Sequence, residues 1–231
     1  MRIFAIGDPH LSLAQPKPMD VFGPKWERHA QRMAENWRAV VAPDDVVLVP
    51  GDISWAMQLG AAKLDLEMIG ALPGRKILLR GNHDYWWSSL AKVRSILPPG
   101  MVALQNNCVQ LPGLAVVGTR GWTIPSEGAA EEDRKIYARE VERLSLSLKD
   151  MERQQPTGVI LGMTHFPPFL DLGNPTDFTR LFAQYGVKTV CYGHLHNLPP
   201  GRAFEGEIDG VTYVHVSSDY IDFTPKYLME I

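Results

Sequence analysis

The sequence has little cysteine: Cys108 and Cys191 are its only two in 231 residues. They form no pair at metal-ligand spacing and are too few for a disulfide framework, so both are expected as small buried hydrophobes in a reduced compartment. Long hydrophobic runs are missing too. The apolar start, residues 1–7, stops at Asp8-Pro9. It is too short for the apolar core of a signal peptide, and no later stretch could span a bilayer. A cytoplasmic protein without membrane contact is expected. Nor is there an excess of positive charge. With 23 Lys and Arg against 26 Asp and Glu the net charge is −3. This excludes a dominating basic face that grips a nucleic-acid backbone by charge alone, though not a nucleotide as a small substrate. Repeats and low-complexity tracts are absent. With 45 % apolar and 21 % charged residues, the usage is that of a folded globular chain rather than a disordered one.

Short apolar, β-branched runs alternate with longer segments of helical period. Strands are predicted at residues 3–7, 46–49, 76–79, 114–118, 158–162, 188–192 and 211–216, runs that suit burial on both faces. Trp26, Ala30, Met33, Trp37 and Val41 share one helical stripe. Tyr137, Val141, Leu144, Leu148 and Met151 share another, and a third helix fits residues 58–72, before Pro73-Gly74. Their apolar faces read as core. This alternation predicts an α/β sheet covered by helices on both faces. Two short runs around Val102 and Val109 suggest a hairpin or an antiparallel edge. No linker divides the chain, so one domain over residues 1–231 is expected.

The informative pattern lies in the residues just after the strands. Asp8-Pro9-His10, Gly51-Asp52, Gly81-Asn82-His83-Asp84, His165 and Gly193-His194-Leu195-His196 each come at the carboxyl end of an apolar run. Ligand crevices in open α/β sheets form at that end. Of seven histidines, only His29 and His215 lie elsewhere. Five histidines at corresponding places, with Asp8, Asp52 and Asn82, point to a shared metal centre. Carboxylate, imidazole and amide oxygen without thiolate disfavour a structural zinc site or an iron–sulfur cluster and suit catalytic Mn, Fe, Co or Zn. So many candidates exceed the needs of one ion, and two ions call for a shared anionic bridge, which a central Asp can supply. Ions paired about 3.5–4 Å apart clamp the attacking and leaving oxygens of a phosphoryl group and lower the pKa of a bound water towards about 7.

Together, in this order, these motifs resemble the calcineurin-like metallophosphoesterases, over residues 8–196. The resemblance implies a four-layer α-β-β-α sandwich of two mixed sheets flanked by helices. It implies two divalent metal ions, Mn before Fe, Zn, Co or Ni. One would be held by Asp8, His10, Asp52 and His196 and the other by Asp52, Asn82, His165 and His194, with Asp52 as the bridge. His83 would stabilise or protonate the leaving oxygen, and Asp84 would hold the His83 imidazole by a hydrogen bond and favour its protonated form. The activity implied is hydrolysis of a small-molecule phosphodiester or phosphomonoester by attack of a metal-bridging hydroxide. A nuclease, or a metal-bound scaffold for a protein partner that catalyses nothing, are the alternatives. No ligand position is missing and His83 and Asp84 are both present, which counts against the scaffold. The chain lacks the long appended segments of the large protein phosphatases. The physiological substrate, native metal and oligomeric state stay open.

Weaker signals surround these motifs. Arg120 comes after the run at 114–118 and would reach the active edge if that strand is parallel to its neighbours, where it could fork onto a phosphate. Trp55, Trp86 and Trp87 read as packing under the loops rather than as a platform for a base. Residues 15–24 are too proline-rich for a helix; they form either one wall of the cleft or an ordered surface loop. Pro167-Pro168 would stiffen the loop after His165. The charged run 131–143 reads as a solvated helix face.

Overall fold

In the computed structural model, which describes residues 1–231 apart from the side chain of Leu172, the apolar runs become strands shared between two sheets. The first part of the chain forms β1 (Arg2–Ala5), α1 (His29–Val40), β2 (Val46–Pro50), α2 (Leu59–Gly70), β3 (Arg75–Leu79), α3 (Leu90–Arg94), β4 (Met101–Leu104) and β5 (Val109–Leu111). The rest forms β6 (Leu114–Thr119), α4 (Glu131–Gln154), β7 (Val159–Thr164), α5 (Asp177–Gln184), β8 (Thr189–Tyr192), β9 (Gly206–Ile208), β10 (Val211–His215) and β11 (Lys226–Glu230). The first sheet has the order β11-β1-β2-β3-β4, parallel except for β11. The second has the order β5-β6-β7-β8-β10-β9, with antiparallel edges β5 and β9 around a parallel centre.

Successive strand residues face opposite sides, and that alternation builds three cores. Val46 and Leu48 of β2 point between the sheets, where Ile3, Ile77 and Leu79 meet Val116, Leu161 and Met163 of the second sheet. Val47 and Val49 point outward onto Met33 and Trp37 of α1 and Leu66 and Ile69 of α2. On the far side Val117, Val190 and Tyr213 pack on Leu144 and Leu148 of α4 and on Phe178 and Phe182 of α5. The architecture is therefore helix–sheet–sheet–helix. A run buried on both faces reads the same whether its second cover is a helix or another sheet.

Several elements differ from the sequence reading. The stripe that begins at Trp26 is not all α-helix: Pro24–Trp26 is a 3-10 turn, and Arg28, at φ 50°, breaks the path before α1 starts. The runs at Val102 and Val109 form no hairpin, although the second does supply the antiparallel edge expected as the alternative. β4 pairs parallel with β3 at the edge of one sheet, whereas β5 pairs antiparallel with β6 at the edge of the other. Between them the backbone N–H of Gln105 donates to Asn107 Oδ1 (2.8 Å), and Asn106 adopts φ 57°. This turn carries the chain across the sandwich. The half-exposed edge strand β11 and the short α5 have patterns too brief to stand out. Among the described residues, no helix is long and apolar enough to cross a membrane.

The parallel strands of both sheets deliver their carboxyl ends to one edge, where the loops bond to one another. Asp8 N–H donates to Gly51 O (3.0 Å), His10 N–H to Asp52 O (3.0 Å), Gly193 N–H to His165 O (3.1 Å) and Ser218 N–H to Gly7 O (3.0 Å). At the opposite end, buried Asp45 closes the start of the first sheet. Its carboxylate accepts from Arg2 N–H (2.9 Å), Arg2 Nη2 (2.7 Å) and Ala42 N–H (2.8 Å). Burial alone would raise this carboxyl, but the hydrogen bonds outweigh it and hold the group below its ordinary value. Asp45→Ala should lower the unfolding free energy by about 1–3 kcal/mol in urea titrations at neutral pH, because it strands three donors. A depressed folded-state pKa stabilises above the unfolded-state value near 4 and ceases to as pH falls through the folded one. The wild type and variant should therefore converge in acid. A difference that does not shrink there would contradict the role given to the charge.

Candidate metal centre

Five loops build the cluster. Asp8 and His10 come after β1, Asp52 after β2, Asn82 after β3, His165 after β7, and His194 and His196 after β8. Asp8, His10, Asp52 and His194 all have left-handed backbones, with φ between 45° and 72°. Such conformations are unfavourable for side chains other than Gly and survive where the surroundings enforce them, commonly at functional sites. The hydrogen bonds between the loops supply that enforcement.

The side chains fall into two adjoining sets. In the first, ligand atoms of Asp8, His10 and His196 lie within 4.8 Å of one another. His10 Nε2 faces His196 Nε2 at 3.3 Å, and His196 Nε2 is 3.7 Å from Asp8 Oδ1. In the second, His165 Nε2 meets Asn82 Oδ1 at 2.6 Å and His194 Nδ1 at 3.2 Å. Asp52 lies between them, its Oδ2 standing 3.7 Å from His10 Nε2 and 3.5 Å from His165 Nε2. Its Oδ1 accepts the His83 backbone N–H (2.8 Å). Asp8 approaches both sets as well, since its carboxylate also groups within 4.8 Å with Asp52 and His165.

This donor set fits divalent cations. Burial and the nearby Asp52 push the Asp8 carboxyl up to about 7, and burial raises Asp52 as well. Burial likewise drives His165 and His194 down to about 3 and His10 well below its ordinary value. The neutral imidazoles of His10, His165 and His194, crowded with carboxylates at these distances, offer lone pairs to one space, as metal ligands do. The glycines of the motifs leave room for them. A Cβ on Gly81 would collide with the Asp52 carboxylate, and one on Gly193 with that of Asp8.

One residue at the cluster escaped the sequence reading. Asp219 accepts from His196 Nδ1 (2.8 Å) and from Asn197 N–H (2.8 Å). Burial opposes protonation of His196, but this bond and the charges of Asp8, Asp219 and Asp52 raise its pKa to about 9. With Nδ1 tied to a carboxylate, Nε2 is the nitrogen turned to the cluster, the arrangement that orients a metal-binding histidine. Asp219 comes after β10, so the strand-end rule that found the other residues also reaches it. His29, set apart in the sequence, supports His10 from behind, its Nε2 3.3 Å from His10 O.

Residues 1–198 match the family described as calcineurin-like phosphoesterase. The chain belongs to this family. Two curated phage proteins share shorter stretches with it. The gene 66 protein of Mycobacterium phage L5 is 41 % identical over 61 residues, covering 25 % of this chain and 28 % of that protein. Its counterpart in phage D29 is 38 % identical over 78 residues, covering 32 % and 35 %. The chain thus spans about a third of the length of these relatives. Among solved structures, phosphopantetheinyl hydrolase from Mycobacterium tuberculosis superposes with a TM-score of 0.60 at 14 % identity, over 100 % of this chain and 96 % of that one. A Thermus thermophilus protein gives 0.60 at 15 % identity, over 98 % and 97 %. A protein of unknown function from Aquifex aeolicus gives 0.53 at 16 %, over 98 % and 95 %. At such identities the likeness is one of fold.

One role expected around the centre of this calcineurin-like phosphoesterase needs correction. Asp84 does not hold the His83 imidazole. Its buried carboxylate accepts from the N–H groups of Ile53 (2.9 Å), Ser54 (3.1 Å) and Gly81 (2.7 Å) and from Trp86 Nε1 (2.9 Å). It therefore braces the loops rather than the His83 ring. His83 Nδ1 is buried with no hydrogen-bond partner among the described residues, and burial lowers the pKa of the ring. Arg120 does emerge at the carboxyl end of β6, which is parallel to β7. Its guanidinium also pairs with buried Glu140 of α4 (3.2 Å), which Arg143 meets as well (2.6 Å). Trp86 and Trp87 are buried as packing, whereas Trp55 is only half-buried and stacks on His10, ring centres 4.9 Å apart.

Asp219→Asn should weaken Mn²⁺ binding about 10–100-fold, the usual effect of losing the carboxylate behind a metal-binding histidine. Chelator competition would measure it, with circular dichroism checking the fold. Unchanged affinity would remove Asp219 from the site.

Proposed function

We propose that the chain is a dinuclear metal-dependent phosphohydrolase, acting as one domain over residues 1–231 on a small-molecule phosphodiester or phosphomonoester. The observation that carries this reading is the meeting of two donor sets at Asp52, within a chain of the phosphoesterase family. Asp8, His10, Asp52 and His196 would hold one cation and Asp52, Asn82, His165 and His194 the other. Bound there, divalent cations supply Lewis-acid polarisation of phosphoryl oxygens and a water of lowered pKa.

The rest of the reaction falls to the chain itself. Asp52 spends one oxygen on the His83 backbone, which keeps the other aimed between the sets and ties the His83 loop to them. His83 lines the cleft beside His10 and His196. There its protonated ring donates a hydrogen bond to the ester oxygen that departs as water oxygen bonds to phosphorus; the proton goes with the leaving alcohol and the ring is left neutral, the form that burial favours. Help of this kind contributes typically 10²–10⁴ in rate. Burial of Asp8, His10, Asp52 and His165 keeps bulk water from those donors, which strengthens their interactions.

Metal-stripped protein re-supplied with Mn²⁺ should hydrolyse an aryl phosphodiester or the matching monoester, and the preferred ester names the class. Turnover that survives metal removal would overturn the reading. His83→Ala should keep both cations yet lose about 10²–10⁴ in kcat on an alkyl ester, where the leaving group needs the proton most. An unimpaired variant would reassign His83. Asp52→Asn should instead lower bound metal, measured by elemental analysis, because the shared charge is removed; two full equivalents in that variant would refute the bridge.

A further inference from the structure

On the side of the cluster that carries His10, His83 and His196, the protein opens into an apolar cleft. Its inner part is a cavity of about 220 Å³ whose walls include Trp55 and Phe22 beside these histidines. An outer part of about 680 Å³ shares His83, Trp55 and Phe22 with it and adds Lys17, Met57 and Tyr85. Phe22, Met57 and Tyr85 leave 48 %, 57 % and 51 % of their surface exposed. Large apolar side chains kept in water around a concave site mark a surface that meets a ligand. The wall is the segment whose role the sequence left open, residues 15–24, now folded over the centre through the 3-10 turn Met19–Phe22.

Trp55 is the floor of this cleft. Its indole stacks on His10 at an interplanar angle of 21° and lies 4.5 Å from the His83 ring, centre to centre. The Lys17 ammonium rests over the same indole, 2.9 Å from its centre. A flexible lysine attracted to an indole face is a displaceable occupant of a surface that suits a flat ring. A cavity of about 150 Å³ takes a benzene-sized molecule, so the inner part admits one ring or a fused pair. Among the described lining residues Lys17 is the one ammonium or guanidinium group, which leaves a long polyanion little to hold.

We propose that this cleft receives the leaving arm of the substrate and that the arm carries a flat aromatic or heteroaromatic ring. The assignment rests on the phosphohydrolase reading above, in which His83 serves the departing oxygen; the arm attached to that oxygen then lies in the cleft His83 lines. Hydrolysis forms a P–O bond to water oxygen and breaks the P–O bond to the arm. The ester oxygen leaves with the bonding pair, takes a proton, and the ring-bearing alcohol exits through the outer cleft. Lys17 swings from the indole as the ring enters and meets any negative charge the arm bears.

The test uses the full chain loaded with Mn²⁺ and three esters of the class it cuts, with 2-phenylethanol, 2-cyclohexylethanol or propanol as the leaving alcohol. These alcohols have closely matched acidity, so the comparison reads recognition of the arm rather than intrinsic reactivity. The phenylethyl ester should exceed the propyl ester at least tenfold in kcat/KM, and exceed the cyclohexylethyl ester as well. In Phe22→Ala, and separately in Tyr85→Ala, both at exposed positions, the phenylethyl-to-propyl ratio should fall below threefold. Equal kcat/KM for phenylethyl and propyl esters, or a faster cyclohexylethyl ester, would overturn the inference and leave the hydrolase reading standing. Ratios unchanged in both variants would overturn the assignment to this cleft. Hydrolysis of none of the esters by the loaded protein would overturn the hydrolase reading, and the inference with it.

Discussion

Two carboxylates, Asp8 and Asp52, lie side by side at the end of the core between the sheets, with 0 % and 1 % of their surface in water. Burying one such charge is unfavourable by several kcal/mol and burying a like-charged pair more so, unless partners satisfy them. Much of this edge of the molecule can be understood as the answer to that constraint. Backbone N–H groups of His83 and His194 donate to them, the imidazoles of His10, His165 and His196 stand beside them, and glycines 81 and 193 stand back to make room. Left-handed backbone at both carboxylates turns them inward.

The strand-end rule made most of this site legible, because parallel strands all finish at one edge and the chain reverses there into residues that can carry chemistry. The same rule, applied to the run at 211–216, leads to Asp219. What the sequence could not convey was direction. Asp84 stands next to His83 in the chain, yet its carboxylate turns down into the N–H groups of residues 53, 54 and 81, since buried donors compete for a buried acceptor. Arg120 reaches the right edge and there pairs with Glu140, which no spacing announces across 20 residues and two elements. The number of sheets was hidden for a related reason. Alternation separates two faces of Val46–Pro50 but does not say what covers each. The turn at residues 105–107, which sends β4 and β5 to different sheets, lies in three polar residues that read equally well as a hairpin.

The centre has unlike flanks. Beyond Asn82 and His165 the surroundings are charged: Arg80, Arg120 and Arg143 crowd around Glu140 and leave a cavity of about 30 Å³, the scale of a single water. On the other flank, Trp55, Phe22 and the loop before α1 form a spacious apolar wall. Ion pairing fills the space around Glu140, whereas beside His194 a second cavity of about 390 Å³, lined by Thr123, Ile124, Phe166 and Leu195, stays open, so the cluster can be approached from the His83 side and from the His194 side. This asymmetry originates in the two sheets, since the wall belongs to loops of the first and the arginine cluster straddles both.

The bond between His196 and Asp219 joins the first cluster to a segment beyond residues 1–198, and the chain then returns through β11 to pair with β1. Donors therefore come from both sheets, Asp8, His10, Asp52 and Asn82 from one and His165, His194 and His196 from the other. Neither sheet alone completes either set. Any ligand that binds only the completed cluster contributes RT ln(1 + [L]/Kd) to the docking of the two halves. Occupancy of one edge then becomes a thermodynamic fastener for the whole sandwich, and depletion of that ligand would loosen the seam along its length rather than merely empty a pocket.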